Sequence, residues 1–308
     1  MRRRLDAALL LDKPVGSSSN AALQAAKRLF RAAKAGHAGT LDPLASGLLL
    51  VLFGDATKFA ATLLGADKTY LASVRLGATT TTGDAEGEVT GRQAVEVSEA
   101  QVEAVLARFR GTISQVPPMY SALKFGGQRL YALAREGVSV ERSSREVVIH
   151  ELGRISLRGD LLELRVRCSK GTYVRTLAED IGAALGIGAH LAALRRTAAG
   201  RLLVNDATSL EALEGMGDAE RESRLLPLEA LLDCQPRLEC GAEAEARLRM
   251  GQAIDVPGAP AGQCVVYGPA GLIGLGLGDG AGTVKPVRLT APRTAGEAQA
   301  AEIPKKTL

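Results

Sequence analysis

The stretch Gly36-His37-Ala38-Gly39-Thr40-Leu41-Asp42-Pro43-Leu44-Ala45-Ser46-Gly47, followed at once by Leu48-Leu49-Leu50-Val51-Leu52-Phe53, constrains the fold more than any other part of this chain. A short unbroken apolar run bounded by turn formers predicts a buried strand. Gly36, Gly39, Pro43 and Gly47 ahead of it predict a rigid loop that fixes Asp42 in one pose and lets a ligand approach the backbone. A carboxylate held in this way can act as a nucleophile towards a sugar or a base. The same spacing suits a turn aspartate that caps the next element, and spacing alone does not choose between the two.

The pattern elsewhere alternates between strand and helix. Ala7 to Asp12 predicts a strand, and Ser18 to Phe30 a helix with Leu23, Ala26 and Leu29 on one face. Tyr70, Ala72, Val74 and Leu76 alternate with Leu71, Ser73 and Arg75, as in a strand with two distinct faces. Ser98 and Gln101 form a capping box that opens a helix to about Arg110, stopped by Gly111. Leu130 to Glu136 reads as a shorter helix. Two strands, 145–157 and 161–168, flank a Gly159-Asp160 turn, and Thr172 to Leu185 reads as a helix. Strands adjacent in sequence and interspersed helices predict an α+β fold with a mixed, mainly antiparallel sheet flanked by helices.

A boundary is expected after the acidic stretch 206–233. Beyond it, 237–238, 253–256, 264–267, 272–277 and 283–288 are short strand candidates among many Pro and Gly, which predicts a small β-barrel. The expected organisation is a catalytic unit over 1–232, a second unit over 233–291 and a disordered tail over 292–308. A hydrophobic content of 46% over 308 residues supports a substantial core.

Several classes of function drop out. No apolar run approaches the length of a membrane span, and the N-terminus lacks a signal-peptide core, so the chain reads as cytoplasmic. Cys168, Cys234, Cys240 and Cys264 form no C-x-x-C pair, and with only His37, His150 and His190 no zinc pattern emerges. The Gly-rich segment 271–280 lacks the Lys-Ser/Thr ending of a phosphate loop. Charge is uneven. Residues 1–175 carry 25 basic and 17 acidic side chains against 13 and 17 beyond, so a phosphate backbone would meet the N-terminal part.

Six motifs in order resemble those of the bacterial tRNA pseudouridine synthase B family. The Gly36–Gly47 stretch matches its G-H-x-G-x-L-D-P-x-A-x-G. Asp12-Lys13-Pro14-Val15-Gly16-Ser17 matches D-K-P-x-G-x-S, and Lys68-Thr69-Tyr70 matches K-x-Y. Thr82-Gly83-Asp84-Ala85-Glu86-Gly87 matches T-G-D-x-x-G. Pro118-Met119-Tyr120-Ser121-Ala122-Leu123-Lys124 matches P-x-x-S-A-x-K, and Lys170-Gly171-Thr172-Tyr173-Val174-Arg175-Thr176-Leu177 matches K-G-T-Y-x-R-x-L. The resemblance covers roughly residues 8–290 and weakens after Leu232.

This resemblance implies a pseudouridine synthase fold with a PUA-like C-terminal module. It also implies isomerisation of the T-loop uridine 55 of tRNA by base flipping. No cofactor and no metal are implied. The partner is the tRNA T arm, no protein partner is implied, and the enzyme acts as a monomer. Asp42 is then the catalytic aspartate, Arg175 its ion-pair partner, and Tyr70 the residue that stacks on uracil and assists proton loss from C5. His37 abuts the space the base leaves. Tyr173 and Leu194 line the base pocket, although Leu191-Ala192-Ala193-Leu194 also has the spacing of a helical apolar stripe. Lys13, Lys58 and Lys124 are candidate phosphate contacts. Residues 117–145, with Gly126-Gly127, correspond to a thumb-like insertion that closes on RNA. Two other activities suit an RNA-binding protein with such a loop: a tRNA-folding aid that needs no chemistry, and a glycosylase that releases the base.

Overall fold

The computed structural model describes residues 2–121, 123–138, 140–232 and 235–292. Apart from Pro292, the tail expected at 292–308 lies outside the described residues. In chain order, β1 (Ala8–Lys13), α1 (Ser19–Leu29), β2 (Ala35–Ala38) and β3 (Ala45–Phe53) lead through a 3₁₀ turn (Gly54–Phe59) to α2 (Ala60–Leu63) and β4 (Lys68–Leu76). The hairpin β5 (Ala78–Thr80) and β6 (Val89–Arg92) precedes α3 (Glu99–Arg108) and β7 (Gly111–Gln115). Next come β8 (Lys124–Phe125), β9 (Gln128–Arg129) and α4 (Leu130–Arg135), then β10 (Arg145–Arg158), β11 (Leu161–Cys168), α5 (Val174–Ala184) and β12 (Ala189–Ala199). Short elements follow: β13 (Leu202–Leu203), β14 (Thr208–Ser209), α6 (Leu210–Gly215), α7 (Asp218–Glu222), β15 (Leu225–Leu226) and α8 (Leu228–Leu232).

The main sheet runs β14-β1-β3-β12-β4-β11-β10-β7, with β2 also on β3, β13 on β12 and β15 on β1. Its pairs are antiparallel except β1 with β14 and β3 with β12. The run Leu48–Phe53 is unbroken because β3 is covered on both faces. Leu48, Leu50 and Leu52 pack with Phe59, Leu226, Leu228 and Leu231. Leu49, Val51 and Phe53 pack with Leu23, Ala26 and Phe30 of the α1 side. Ser18 caps α1 by accepting from the Ala21 amide at 3.1 Å. The capping box is complete: the Gln101 amide donates to Ser98 Oγ, and the Ser98 amide donates to Gln101 Oε1 at 2.8 Å. The excursion bearing β8, β9 and α4 leaves the sheet at Gln115 and returns at Arg145, which are register partners.

The helical spacing at Leu191–Leu194 is overruled. These residues lie in β12, between β3 and β4. A bulge between Leu191 and Ala193 brings two leucines three positions apart to the same core, which a regular strand would not do.

The C-terminal unit contains β16 (Arg237–Glu239), α9 (Ala242–Arg249), β17 (Ile254–Asp255), β18 (Ala261–Gly268), β19 (Gly271–Asp279) and β20 (Thr283–Leu289). Its strands order as β16-β18-β19-β20-β17, a half-barrel curled over Leu248 of α9. All five strand candidates are present; α9 was not anticipated. Val265, Leu272 and Leu275 share a core with Leu226, Leu228 and Leu231, so the two units meet through packed side chains. Lys58, a candidate phosphate contact in the sequence, lies at this junction with its side chain about a third exposed. Its Nζ pairs with Asp55 at 3.0 Å and donates to the Leu289 carbonyl at 3.2 Å, while the Ala291 amide donates to Asp55. Burial pushes the Asp55 carboxyl up, but the Ala291 amide and Lys58 outweigh it and hold it below its ordinary value.

Candidate active site

The loop that carries Asp42 is gripped on both sides. Ser19, at the start of α1, accepts from the Leu41 amide and donates to the Leu41 carbonyl, each at 2.8 Å. The Gly16 amide donates to the Pro43 carbonyl at 2.8 Å. The Ala45 amide closes a turn onto the Asp42 carbonyl at 3.0 Å. Gly39 and Gly47 lie at φ +83° and +100°, and a Cβ at Gly47 would sit 2.3 Å from the Arg196 carbonyl oxygen. Only glycine fits there without moving β12.

Arg175 lies in the first turn of α5, where the helix dipole disfavours a cation. Two carboxylates compensate. Arg175 Nη2 pairs with Asp42 Oδ2, and Nε lies 3.0 Å from Asp84 Oδ2. Nη1 donates to the Thr82 carbonyl at 3.2 Å. Arg175 and Asp84 are buried, whereas the Asp42 side chain is 49% exposed, so the pair is open to solvent only on the Asp42 side. Asp84 is itself fixed: Thr82 Oγ1 donates to Oδ1 at 2.5 Å and the Glu86 amide donates to it at 3.1 Å. The loop docks on β12 through Leu191, which exchanges backbone hydrogen bonds with Gly83 and Ala85, both at 3.0 Å. Among the described residues the hydrogen bond to the Asp42 carboxylate is the one from Arg175 to Oδ2, and Oδ1 takes none.

Tyr70, on β4, packs against the same core as Leu44 and Leu194. It also lines an open cleft of about 450 Å³ with Gly39, Thr40, Lys68, Lys170 and Arg196. Burial pushes its hydroxyl pKa up; Arg196 opposes that shift and Asp42 adds to it. The arrangement is a half-exposed carboxylate with one oxygen committed to Arg175, near a tyrosine and a cleft lined by Lys68, Lys170 and Arg196.

Three family models cover almost the whole chain. Residues 27–174 match the TruB family pseudouridylate synthase N-terminal domain, 175–233 the tRNA pseudouridylate synthase B C-terminal domain, and 236–290 the Pseudouridine synthase II TruB C-terminal domain. This chain belongs to the TruB family of pseudouridylate synthases. It is 53% identical over 288 residues to the tRNA pseudouridine synthase B of Dechloromonas aromatica (strain RCB), covering 93% of this chain and 96% of that protein. It is 57% identical over 253 residues to the protein of that name from Burkholderia mallei (strain NCTC 10247), covering 82% and 84%. Among solved structures it resembles the archaeal box H/ACA sRNP Nop10–Cbf5 complex. There the TM-score is 0.71 at 25% identity, over 93% of this chain and 86% of that one.

Within this TruB-family frame the structure pairs Asp42 with Arg175 and sets Tyr70 and Leu194 on the adjacent strands β4 and β12, against one core. Tyr173 is the N-cap residue of α5, two positions before Arg175. The Gln115 side chain braces it from both directions, accepting from the Tyr173 amide at 3.1 Å and donating to its carbonyl at 3.2 Å. His37 is half-buried on β2, opposite Val51 and two residues before Gly39.

Lys13 is corrected: it is fully buried, so it cannot reach an RNA phosphate. Its Nζ donates to the carbonyls of Pro14 at 2.8 Å and Ser17 at 2.6 Å. Burial lowers its pKa to about 8, opposed by Asp42 and Glu86. Lys13 therefore braces the Pro14–Ser17 loop from beneath. Lys124 lies in β8, and its side chain falls outside the described residues.

Asp84, Gln115, Ser19 and Arg196 carry structural roles at the site that sequence reading missed. The T-G-D motif was a signal for Asp84, and the K-P-x-G-x-S run led towards Ser19; Gln115 and Arg196 had none. Among the described residues no three His, Cys, Asp or Glu side chains converge as a metal would require.

Proposed function

We propose that this enzyme isomerises uridine 55 in the T-loop of tRNA to pseudouridine. The observation that carries the reading is Asp42: a half-exposed carboxylate held through one oxygen by an arginine that is itself buried and tied to Asp84. Arg175 keeps Asp42 oriented through the ion pair. The free oxygen then either attacks the ribose or takes a proton from it, and the N1–C1′ bond breaks. The base turns, a C5–C1′ bond forms, the C5 proton leaves and N1 ends protonated. Atoms balance without an external reagent. Tyr70 lies where its ring can stack on the flipped base and its hydroxyl can assist loss of the C5 proton.

In the same reading Tyr173 and Leu194 wall the base, and His37 abuts the space the base vacates. The excursion at 117–145 closes on the T arm, and the half-barrel at 233–291 contributes a PUA-like RNA surface. The protein acts as a monomer in the cytoplasm. Among the described residues no helix is long and apolar enough to cross a membrane.

The test is incubation with an unmodified tRNA transcript and no added cofactor, followed by carbodiimide mapping of pseudouridine by primer extension. A single T-loop stop that Asp42→Asn abolishes is the expected result. Release of free uracil would replace the reading with a glycosylase. Binding without any stop would replace it with a tRNA-folding protein.

A further inference from the structure

Arg196 is a buried guanidinium that the reaction scheme above does not use. Only 2% of it is exposed, so no phosphate reaches it. Among the described residues no carboxylate pairs with it, although a buried cation without a counter-ion is costly. Its charge is held by neutral acceptors instead. Nε donates to the Leu48 carbonyl at 2.7 Å, and Nη2 donates to the Gly39 carbonyl at 2.9 Å. The first acceptor follows the Asp42 loop and the second precedes it.

Sheet register explains the placement. Lys13 pairs with Gly47, Gly47 with Arg196, and Arg196 with Tyr70, in one row across β1, β3, β12 and β4. Residues in such a row point to the same face. Gly47 leaves room in the row, and the Arg196 backbone fills it. On the other side Arg196 and Tyr70 line the same cleft, and the guanidinium opposes the upward shift that burial imposes on the Tyr70 hydroxyl. A Cβ at Gly39 would come within 3.2 Å of Nη1, so the loop lies directly on the guanidinium.

We propose that Arg196 is a positioning residue for the chemical step: one guanidinium ties both ends of the Asp42 loop to the strand position paired with Tyr70, so that nucleophile and tyrosine keep a fixed separation. The two carbonyl acceptors diverge, and a planar fork serves both where an ammonium cannot.

This inference rests on the proposed pseudouridine reaction, and its experiment separates the two. Wild type, Asp42→Asn, Arg196→Gln and Arg196→Lys are compared for single-turnover pseudouridine formation at saturating enzyme, for tRNA Kd and for thermal unfolding. An inactive wild type overturns the reaction itself. With wild type active, Arg196→Gln is expected to slow the chemical step about 100-fold with tRNA Kd within roughly threefold of wild type. Arg196→Lys, which keeps the charge and the fold, is expected to recover less than about tenfold of that loss. The rate of Arg196→Gln should depend on pH at higher values than wild type, because Tyr70 loses the cation that opposes the effect of its burial. A chemical step unchanged in Arg196→Lys, a loss wholly in Kd, or an unmoved pH profile would overturn the inference. If Arg196→Gln does not fold, Arg196→Lys alone decides.

Discussion

The main sheet and the C-terminal half-barrel bury different things. Around the main sheet Lys13, Asp84, Gln115, Arg175, His190 and Arg196 are all buried. The half-barrel core is Leu248, Ile254, Cys264, Val266, Ile273 and Val284, with Thr290 its one buried polar residue among those described. Burying ionised groups is costly unless each is paired. The larger unit carries that cost at Lys13, Asp84, Arg175 and Arg196, which gather around the Asp42 loop. The half-barrel carries none, as suits a platform held by packing. Buried charge therefore separates the region that does chemistry from the region that supports it.

The comparison breaks first at Arg175. Arg175→Ala is expected to reduce turnover by roughly 10³-fold or more. Stability should fall by about 3–5 kcal/mol, because Asp84 is left buried and uncompensated. Adding Asp84→Ala should restore much of that stability in urea unfolding and none of the turnover. Recovery of turnover would mean that the cluster is structural.

A second effect comes from Cys168, buried at the end of β11 beside Lys68. Burial raises its thiol pKa from 9.0 to about 11. Its folded pKa lies above the unfolded one, so its contribution is intact below pH 9 and is lost as pH rises towards 11. The stability of wild type minus that of Cys168→Ala should fall by about 3 kcal/mol across that window. Cys264 in the half-barrel is also shifted up by burial, but the Gly276 and Gly278 amides oppose the shift. Cys264→Ala should therefore change the alkaline slope less than Cys168→Ala does.

In the half-barrel, Ile273→Val removes one methylene from a fully buried side chain. About 1 kcal/mol of stability should be lost, with the single-turnover rate unchanged. A drop in rate would show that the half-barrel shapes the active site. At the junction, Lys58→Met should cost less than about 1 kcal/mol, since the pair is partly exposed and Asp55 keeps the Ala291 amide. The tRNA Kd should stay within about threefold, because Lys58 Nζ is engaged by Asp55 and the Leu289 carbonyl.

Much of the site was legible because its motifs are local. A Gly- and Pro-punctuated loop before an apolar run specifies a held carboxylate next to a buried strand, and Asp42 is found there. The capping box at Ser98 depends only on residues three apart, and it forms as read. The lysines were less legible. Lys13 and Lys58 look like any solvated cation in sequence, and their carbonyl partners are invisible until the chain folds.

The sequence by itself determined the alternation of strands and helices, the family, and which carboxylate is presented. These depend on periodicity, turn chemistry and short motifs, all of which act over a few residues. Tertiary structure alone decided that Leu191–Leu194 is a bulged strand, that Arg196 is the cross-strand partner of Tyr70, and that Asp84 anchors Arg175. Each depends on which strands become neighbours. Pairing between residues tens to more than a hundred positions apart is set by the closing of the whole core, and that outweighs a local spacing that fits helix and strand alike.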